Sequence, residues 1–167
     1  MRAMSEKSLR EAFAGESQAH MRYLIFAQQA EAEGKPNIAR LFRAIAFAEQ
    51  VHATNHFKAL GDLGDTPANL QAAINGETYE VEEMYPAFGA IAQLQGEKAA
   101  ERSINYALQA EKIHAGMYSN ARELALSGQD IDDQPIYVCS QCGYTGSGEA
   151  PERCPVCGAG KDAFKTF

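Results

Sequence analysis

The chain has 167 residues, 46% of them hydrophobic and 22% charged, with a formal net charge of −7. That is enough for one good core plus a small appendage. No apolar run approaches the ~20 residues of a membrane span, the opening Met1-Arg2-Ala3-Met4-Ser5-Glu6 lacks the apolar stretch of a secretory signal, and an acidic chain without a basic stripe argues against nucleic acid. The expectation is a cytoplasmic protein with no membrane or nucleic-acid partner.

In chain order, a first helix is expected from about Ser5 to Glu33, with Phe13, Tyr23, Leu24 and Phe26 on its inward and interhelical faces. Gly34 ends it, and Pro36 suits the first turn of a second helix that carries Leu41, Phe42, Ile45, Val51 and Phe57 as far as Gly61. Thr66-Pro67 opens a third, which Gly76 is expected to interrupt; Gly96 separates it from a fourth that continues to about Ser127. The polar tract from Gly128 to Gln134, closed by Pro135, reads as a linker. The expected division is therefore a helical domain over 1–128, a linker over 129–135 and a small domain of short strands and loops over 136–167.

One pattern is written twice across the helices. Glu16 is followed by Glu49 and His52, and Glu80 by Glu111 and His114. Residues three apart share a helix face, so each Glu-x-x-His pair presents a carboxylate and an imidazole to one point. Two such pairs with two further glutamates make a cage for two metal ions, as in helical bundles that hold iron. Heights agree: at ~1.5 Å per residue, Glu16 and Glu49 stand roughly 26 Å and 20 Å from the first hairpin's turn, and Glu80 and Glu111 roughly 24 Å and 22 Å from the second's.

All four cysteines lie near the end, as Cys139-x-x-Cys142 and Cys154-x-x-Cys157, each knuckle followed by glycine. Without a secretory signal, paired knuckles mean tetrathiolate metal rather than disulfides. Knuckle spacing alone favours structural zinc, although an iron site shares ligands and geometry. Tyr137, Tyr144 and Phe164 change that balance, because the knuckles then read Tyr-x-Cys-x-x-Cys-Gly-Tyr with an aromatic after the last cysteine.

In these features the C-terminal segment resembles a rubredoxin domain, and nearly the whole chain resembles the rubrerythrin family. The combination carries the likeness: the doubled cage, the run Glu83-Met84-Tyr85-Pro86 and the thiolate domain at the end. The resemblance implies a mainly α fold, a ferritin-like four-helix bundle followed by a small rubredoxin-like domain. It also implies two non-haem irons held by Glu16, Glu49, His52, Glu80, Glu83, Glu111 and His114, and one iron held by Cys139, Cys142, Cys154 and Cys157. Glu83 has no counterpart in the first half, where Ala19 stands three after Glu16; as a fifth carboxylate it should favour the oxidised pair, with His52 taking its place on reduction. Tyr23, two turns from Glu16, is expected to support a ligand carboxylate, while His20 and His56 read as structural.

The implied activity is a non-haem di-iron peroxidase that reduces hydrogen peroxide to water, fed through the thiolate iron by an external donor such as rubredoxin or a flavin reductase. A ferroxidase or iron-binding protein, or a di-iron oxygen reductase, would use the same helices. Nicotinamide is not expected to bind directly, since no Gly-rich dinucleotide fingerprint is present. Finally, the roughly 17 Å reach of about five residues between Gly61 and Pro67 cannot cross a bundle from end to end. If helix begins at Thr66, a homodimer with exchanged hairpins is expected.

Overall fold

The computed structural model describes all residues from Met1 to Phe167, and the chain forms two compact units, Met1–Gly64 and Asp65–Phe167. The boundary falls between the two helical hairpins, inside the stretch 1–128 expected to act as one domain. The thiolate segment belongs to the second unit.

The first unit is a hairpin of α1 (Ala3–Ala32) and α2 (Pro36–Leu60). Gly34 makes the turn with φ +73°, a left-handed conformation that costs glycine little, and the Lys35 amide closes onto the Ala30 carbonyl at 2.8 Å. Pro36 then enters the first turn of α2, where its missing N–H leaves nothing unsatisfied. Ala39, Ala46 and Ala53 recur every seven residues along α2 and are buried, as are Ala27 and Ala30 on α1. Small side chains on this seam let the two backbones approach closely. Aromatic pairs flank it, Phe13 with Phe57 at 5.3 Å and Phe26 with Phe42 at 5.6 Å between ring centroids. Because the seam is narrow, large apolar side chains such as Ile25, Leu41, Phe47 and Val51 stay exposed.

The second unit opens with α3 (Thr66–Tyr79), capped by the Asp65 carboxylate, which accepts the Ala68 amide at 2.9 Å. Helix passes through Gly76 without a break, contrary to the expected interruption. A helical glycine costs only about 1 kcal/mol, whereas Pro86 further on removes a donor outright. The helix accordingly changes at a π-helical turn over Glu80–Met84, where the Tyr85 amide reaches five residues back to the Glu80 carbonyl. It resumes as α4 (Tyr85–Gln95), ends at Gly96 with φ +70°, and is followed by α5 (Lys98–Leu126). Residues 129–135 carry no regular structure.

Three short strands complete this unit: β1 (Ile136–Cys139), β2 (Thr145–Ser147) and β3 (Phe164–Thr166). The order is β2-β1-β3, antiparallel throughout, with Val138 opposite Thr145 and Cys139 opposite Phe164. The Tyr137 ring lies across Gly146, its pairing partner, so closely that a Cβ at 146 would sit 2.3 Å from the phenol oxygen. Gly146→Ala should therefore destabilise this domain by about 1–3 kcal/mol, the usual cost of overpacking, seen as loss of the cysteine-bound metal at lower denaturant than in wild type.

Candidate metal centres

Each hairpin gathers two carboxylates and one imidazole. In the first unit, α1 supplies Glu16, and one turn of α2 supplies Glu49 and His52. His52 Nδ1 lies 2.9 Å from Glu49 Oε2 and 3.9 Å from Glu16 Oε1. In the second unit, α3 supplies Glu77, and one turn of α5 supplies Glu111 and His114. His114 Nδ1 lies 2.6 Å from Glu111 Oε2 and 4.0 Å from Glu77 Oε1. Two glutamates and a histidine occur in similar geometry in both, and both imidazoles turn Nδ1 toward the carboxylates.

Sequence reasoning missed Glu77. It assigned the cage position to Glu80 and the fifth carboxylate to Glu83, whereas the three-member cluster contains Glu77, and Glu83 is exposed on the π-helical turn. Glu80 is half-buried beside the cluster, close enough to feel the Glu111 and His114 charges. Spacing held the signal: Glu16 precedes Glu49 by 33 residues and Glu77 precedes Glu111 by 34, while Glu80 precedes Glu111 by only 31.

The second cluster is electrostatically stressed. Burial, followed by the hydrogen bond and the charge of Glu111 and the charge of Glu80, pushes the Glu77 carboxyl up to about 7. Glu80 is raised too, first by burial and then by Glu111, with His114 opposing. Tyr85 is likewise raised, by burial and by Glu80, Glu111 and Glu77, which places its phenol beside the same acids. Carboxylates gathered this way relax when a cation sits among them. The donor set of carboxylate oxygens and imidazole suits iron, manganese or zinc.

Among the other expected residues, Tyr23 packs against Phe26 and Phe42 within its own hairpin. The His20 ring is hydrogen-bonded through Nδ1 to the Ala46 carbonyl at 2.8 Å, a structural role.

At the other centre all four cysteine sulfurs lie within 4.8 Å of one another. Cys139 and Cys157 are 3.7 Å apart and Cys142 and Cys154 3.4 Å, near the roughly 3.8 Å edge of a tetrahedron with 2.3 Å metal–sulfur bonds. The two knuckles are built alike: Gly143 and Gly158 donate their amides to the carbonyls of Cys139 and Cys154, and those cysteines donate theirs to Tyr144 and Ala159. Burial raises the Cys142 thiol despite a backbone hydrogen bond from Tyr144. At Cys154 burial also opposes ionisation, but backbone hydrogen bonds from Cys157 and Val156 and the neighbouring thiols bring it down to about 7. Tyr106, Tyr144 and Phe164 pack around the sulfurs, so Tyr106 of α5 neighbours this centre.

The sequence pattern described as Rubrerythrin matches residues 7–122, and the one described as Rubrerythrin, rubredoxin-like domain matches residues 137–165. The chain is 46% identical to Rubrerythrin-2 of Clostridium acetobutylicum, over 99% of this chain and 97% of that protein. It is 35% identical to nigerythrin of Nitratidesulfovibrio vulgaris, over 96% and 85%. The solved structure of fully reduced, all-ferrous nigerythrin matches with a TM-score of 0.58 at 34% identity, covering 98% of this chain and 86% of that one.

Two outcomes check these assignments. Glu77→Ala should abolish metal binding by the second cluster in calorimetric titration, whereas Glu83→Ala should leave it unchanged. In metal-free protein, a carboxyl raised from 4.5 to about 7 binds more protons folded than unfolded across that window. Its contribution to stability thus falls as pH rises from about 4.5 to 7 and is flat above. Denaturant midpoints should show that slope, and Glu77→Gln should remove it.

Proposed function

The chain belongs to the rubrerythrin family, and from that premise we propose that it reduces hydrogen peroxide to water at a pair of irons held by its helices. Membership supports an oxidoreductase with di-iron chemistry and a rubredoxin-like iron domain; the peroxidase reading is the finer step. The observation that carries it is the coexistence of two Glu₂His clusters with a tetrathiolate site in one chain. An iron-storing or ferroxidase protein has no use for the thiolate site.

When bound, the iron pair supplies two electrons to the O–O bond, and the tetrathiolate iron returns them one at a time from an external donor such as rubredoxin or a flavin reductase. The protein's part is to hold ligands and balance charge. Glu16, Glu49 and His52 would hold one side of the pair, and Glu77, Glu111 and His114 the other. Four carboxylates balance two divalent ions. Oxidation calls for a fifth, and we assign that role to Glu80 rather than Glu83, because Glu80 is the acid beside Glu111 and His114. Its place on the π-helical turn suits it, since such turns pack less regularly than α-helix. His52 has a side chain 53% exposed, against 27% for His114, which supports the reading that it would be the ligand to enter and leave.

A homodimer with exchanged hairpins is proposed as the assembly. Helix does begin at Thr66, leaving only Gly61–Asp65 between α2 and α3. Each hairpin also leaves large apolar side chains uncovered, Leu41 and Phe47 on the first, Phe88 and Ile91 on the second, and a two-helix layer needs another layer to bury them.

The function is tested by mixing reduced, iron-loaded protein with peroxide or with oxygen at equal concentration in a stopped-flow instrument. Oxidation at least ~10-fold faster with peroxide is expected; faster reaction with oxygen would assign the protein to oxygen reduction instead. For the assembly, Glu49→Ala and Glu111→Ala chains are unfolded and refolded together. Exchanged hairpins give each mixed dimer one intact cage, restoring about a quarter of wild-type turnover. Cages built within single chains restore none.

A further inference from the structure

His114 has a second partner that lies far off in sequence. Its Nε2 is 2.8 Å from the hydroxyl of Thr145, on β2 of the thiolate domain, 31 residues later. Thr145 is buried, only 7% exposed, and its Oγ1 also lies 2.8 Å from the Gly143 carbonyl oxygen. Gly143 directly follows Cys142, and its φ of +80° brings the knuckle against α5, where a Cβ built on it would meet the Ala110 methyl at 3.6 Å.

Counting donors settles how these contacts are made. A carbonyl oxygen only accepts, and a threonine hydroxyl has one hydrogen. Thr145 must therefore donate to Gly143, which leaves it only lone pairs for His114. Nε2 must then carry a hydrogen. A neutral imidazole protonated at Nε2 has its lone pair on Nδ1, the nitrogen that faces Glu111 at 2.6 Å and Glu77 at 4.0 Å.

We propose that Thr145 is a positioning residue for the helix metal centre: the thiolate domain holds His114, through the Gly143–Thr145–His114 hydrogen-bond chain, in the one tautomer and ring orientation that can bind a metal at Nδ1. The proposal rests on the reading of Glu77, Glu111 and His114 as a metal site. His52 serves as an internal control, because its ring is held only through Nδ1, by Glu49 at 2.9 Å, and its side chain is half exposed. One histidine is pinned from behind and the other is not. A ligand so pinned is supported by its outer partner, and losing such a partner costs roughly 10–100-fold in metal affinity. Folding of the thiolate domain around its own metal would thus prepare the other centre, since Thr145 pairs with Val138 in the strand that ends at Cys139.

The test uses the full chain labelled with ¹⁵N-histidine and loaded with Zn²⁺ as a diamagnetic ion, comparing wild type, Thr145→Ser and Thr145→Val. Long-range ¹H–¹⁵N spectra of wild type should show His114 protonated at Nε2. Thr145→Val, which removes the hydroxyl at constant shape, should lower zinc affinity at the helix cluster roughly 10–100-fold and broaden or shift the His114 signal while leaving His52 unchanged. Thr145→Ser should restore both. A separate iron-loaded sample of each variant reports, by its thiolate–iron absorption, whether the thiolate domain is folded. If the valine chain fails to fold, the wild-type tautomer and the serine variant decide. A wild-type His114 protonated at Nδ1, a valine variant that binds like wild type, or a serine variant as weak as valine would overturn the proposal. Wild-type protein that takes up zinc only at its cysteines would overturn it together with the metal-site reading, and would do so before any variant is compared.

Discussion

Carboxylates gathered together and partly buried are the constraint from which this structure is organised. Burial, then Glu111 and Glu80, drives the Glu77 carboxyl to about 7, and burial, then Glu111, raises Glu80. A chain selected only for stability would place such groups on solvated faces. Here the helices hold them at the hairpin seam with an imidazole, and only added positive charge can offset the arrangement. Family membership and the tetrathiolate site then fix what kind of charge that is.

The π-helical turn is the device that brings the two hairpins to the same geometry. From Glu16 to the turn residue Gly34 is 18 residues, and from Gly34 to Glu49 is 15. In the second hairpin Gly96 follows Glu77 by 19 and precedes Glu111 by 15. The first helical arm of the second hairpin is thus a single residue longer. An α-helix with one extra residue would turn Glu77 about 100° away from Glu111. A π-helical turn absorbs one residue without advancing the helix phase, and this one, Glu80–Met84, lies between Glu77 and the Gly96 turn. The pseudo-repeat is restored by local unwinding rather than by equal length.

That device also explains what was and was not legible in the sequence. Helix ends were, because Gly34, Pro36, Gly61, Pro67 and Gly96 each favour a local conformation whatever surrounds them. The Glu-x-x-His pairs and the cysteine knuckles were, because their members are neighbours on one turn. Glu77 was hidden because heights taken from an unbroken α-helix favour Glu80, which stands nearer the level of Glu111, and a further acid three residues along, at Glu83, made Glu80 look like the first of the pair. The helix phase, which a π-helical turn resets, was the missing information. Gly76 misled for a related reason: it is weak punctuation, and the stronger break came from Pro86.

Thr145 was illegible for a different reason. Its neighbours in sequence are a strand and a metal knuckle, and nothing in Tyr144-Thr145-Gly146 announces a helix ligand. Its role arises from seating: Gly143 rests on α5 at Ala110, one residue before Glu111, so the first side chain of β2 meets the imidazole one turn further along. Two consequences follow from a seat at that position. A metal at the thiolates would stabilise the strands that carry Thr145, and through Thr145 would prepare a ligand of the other centre. The two Glu₂His clusters, alike in ligands, are then unlike in rigidity. His114 is backed at Nε2 by Thr145, and nothing corresponding backs His52. An asymmetry of that kind is what the proposed ligand exchange would require, one imidazole held firmly and the other left free to move.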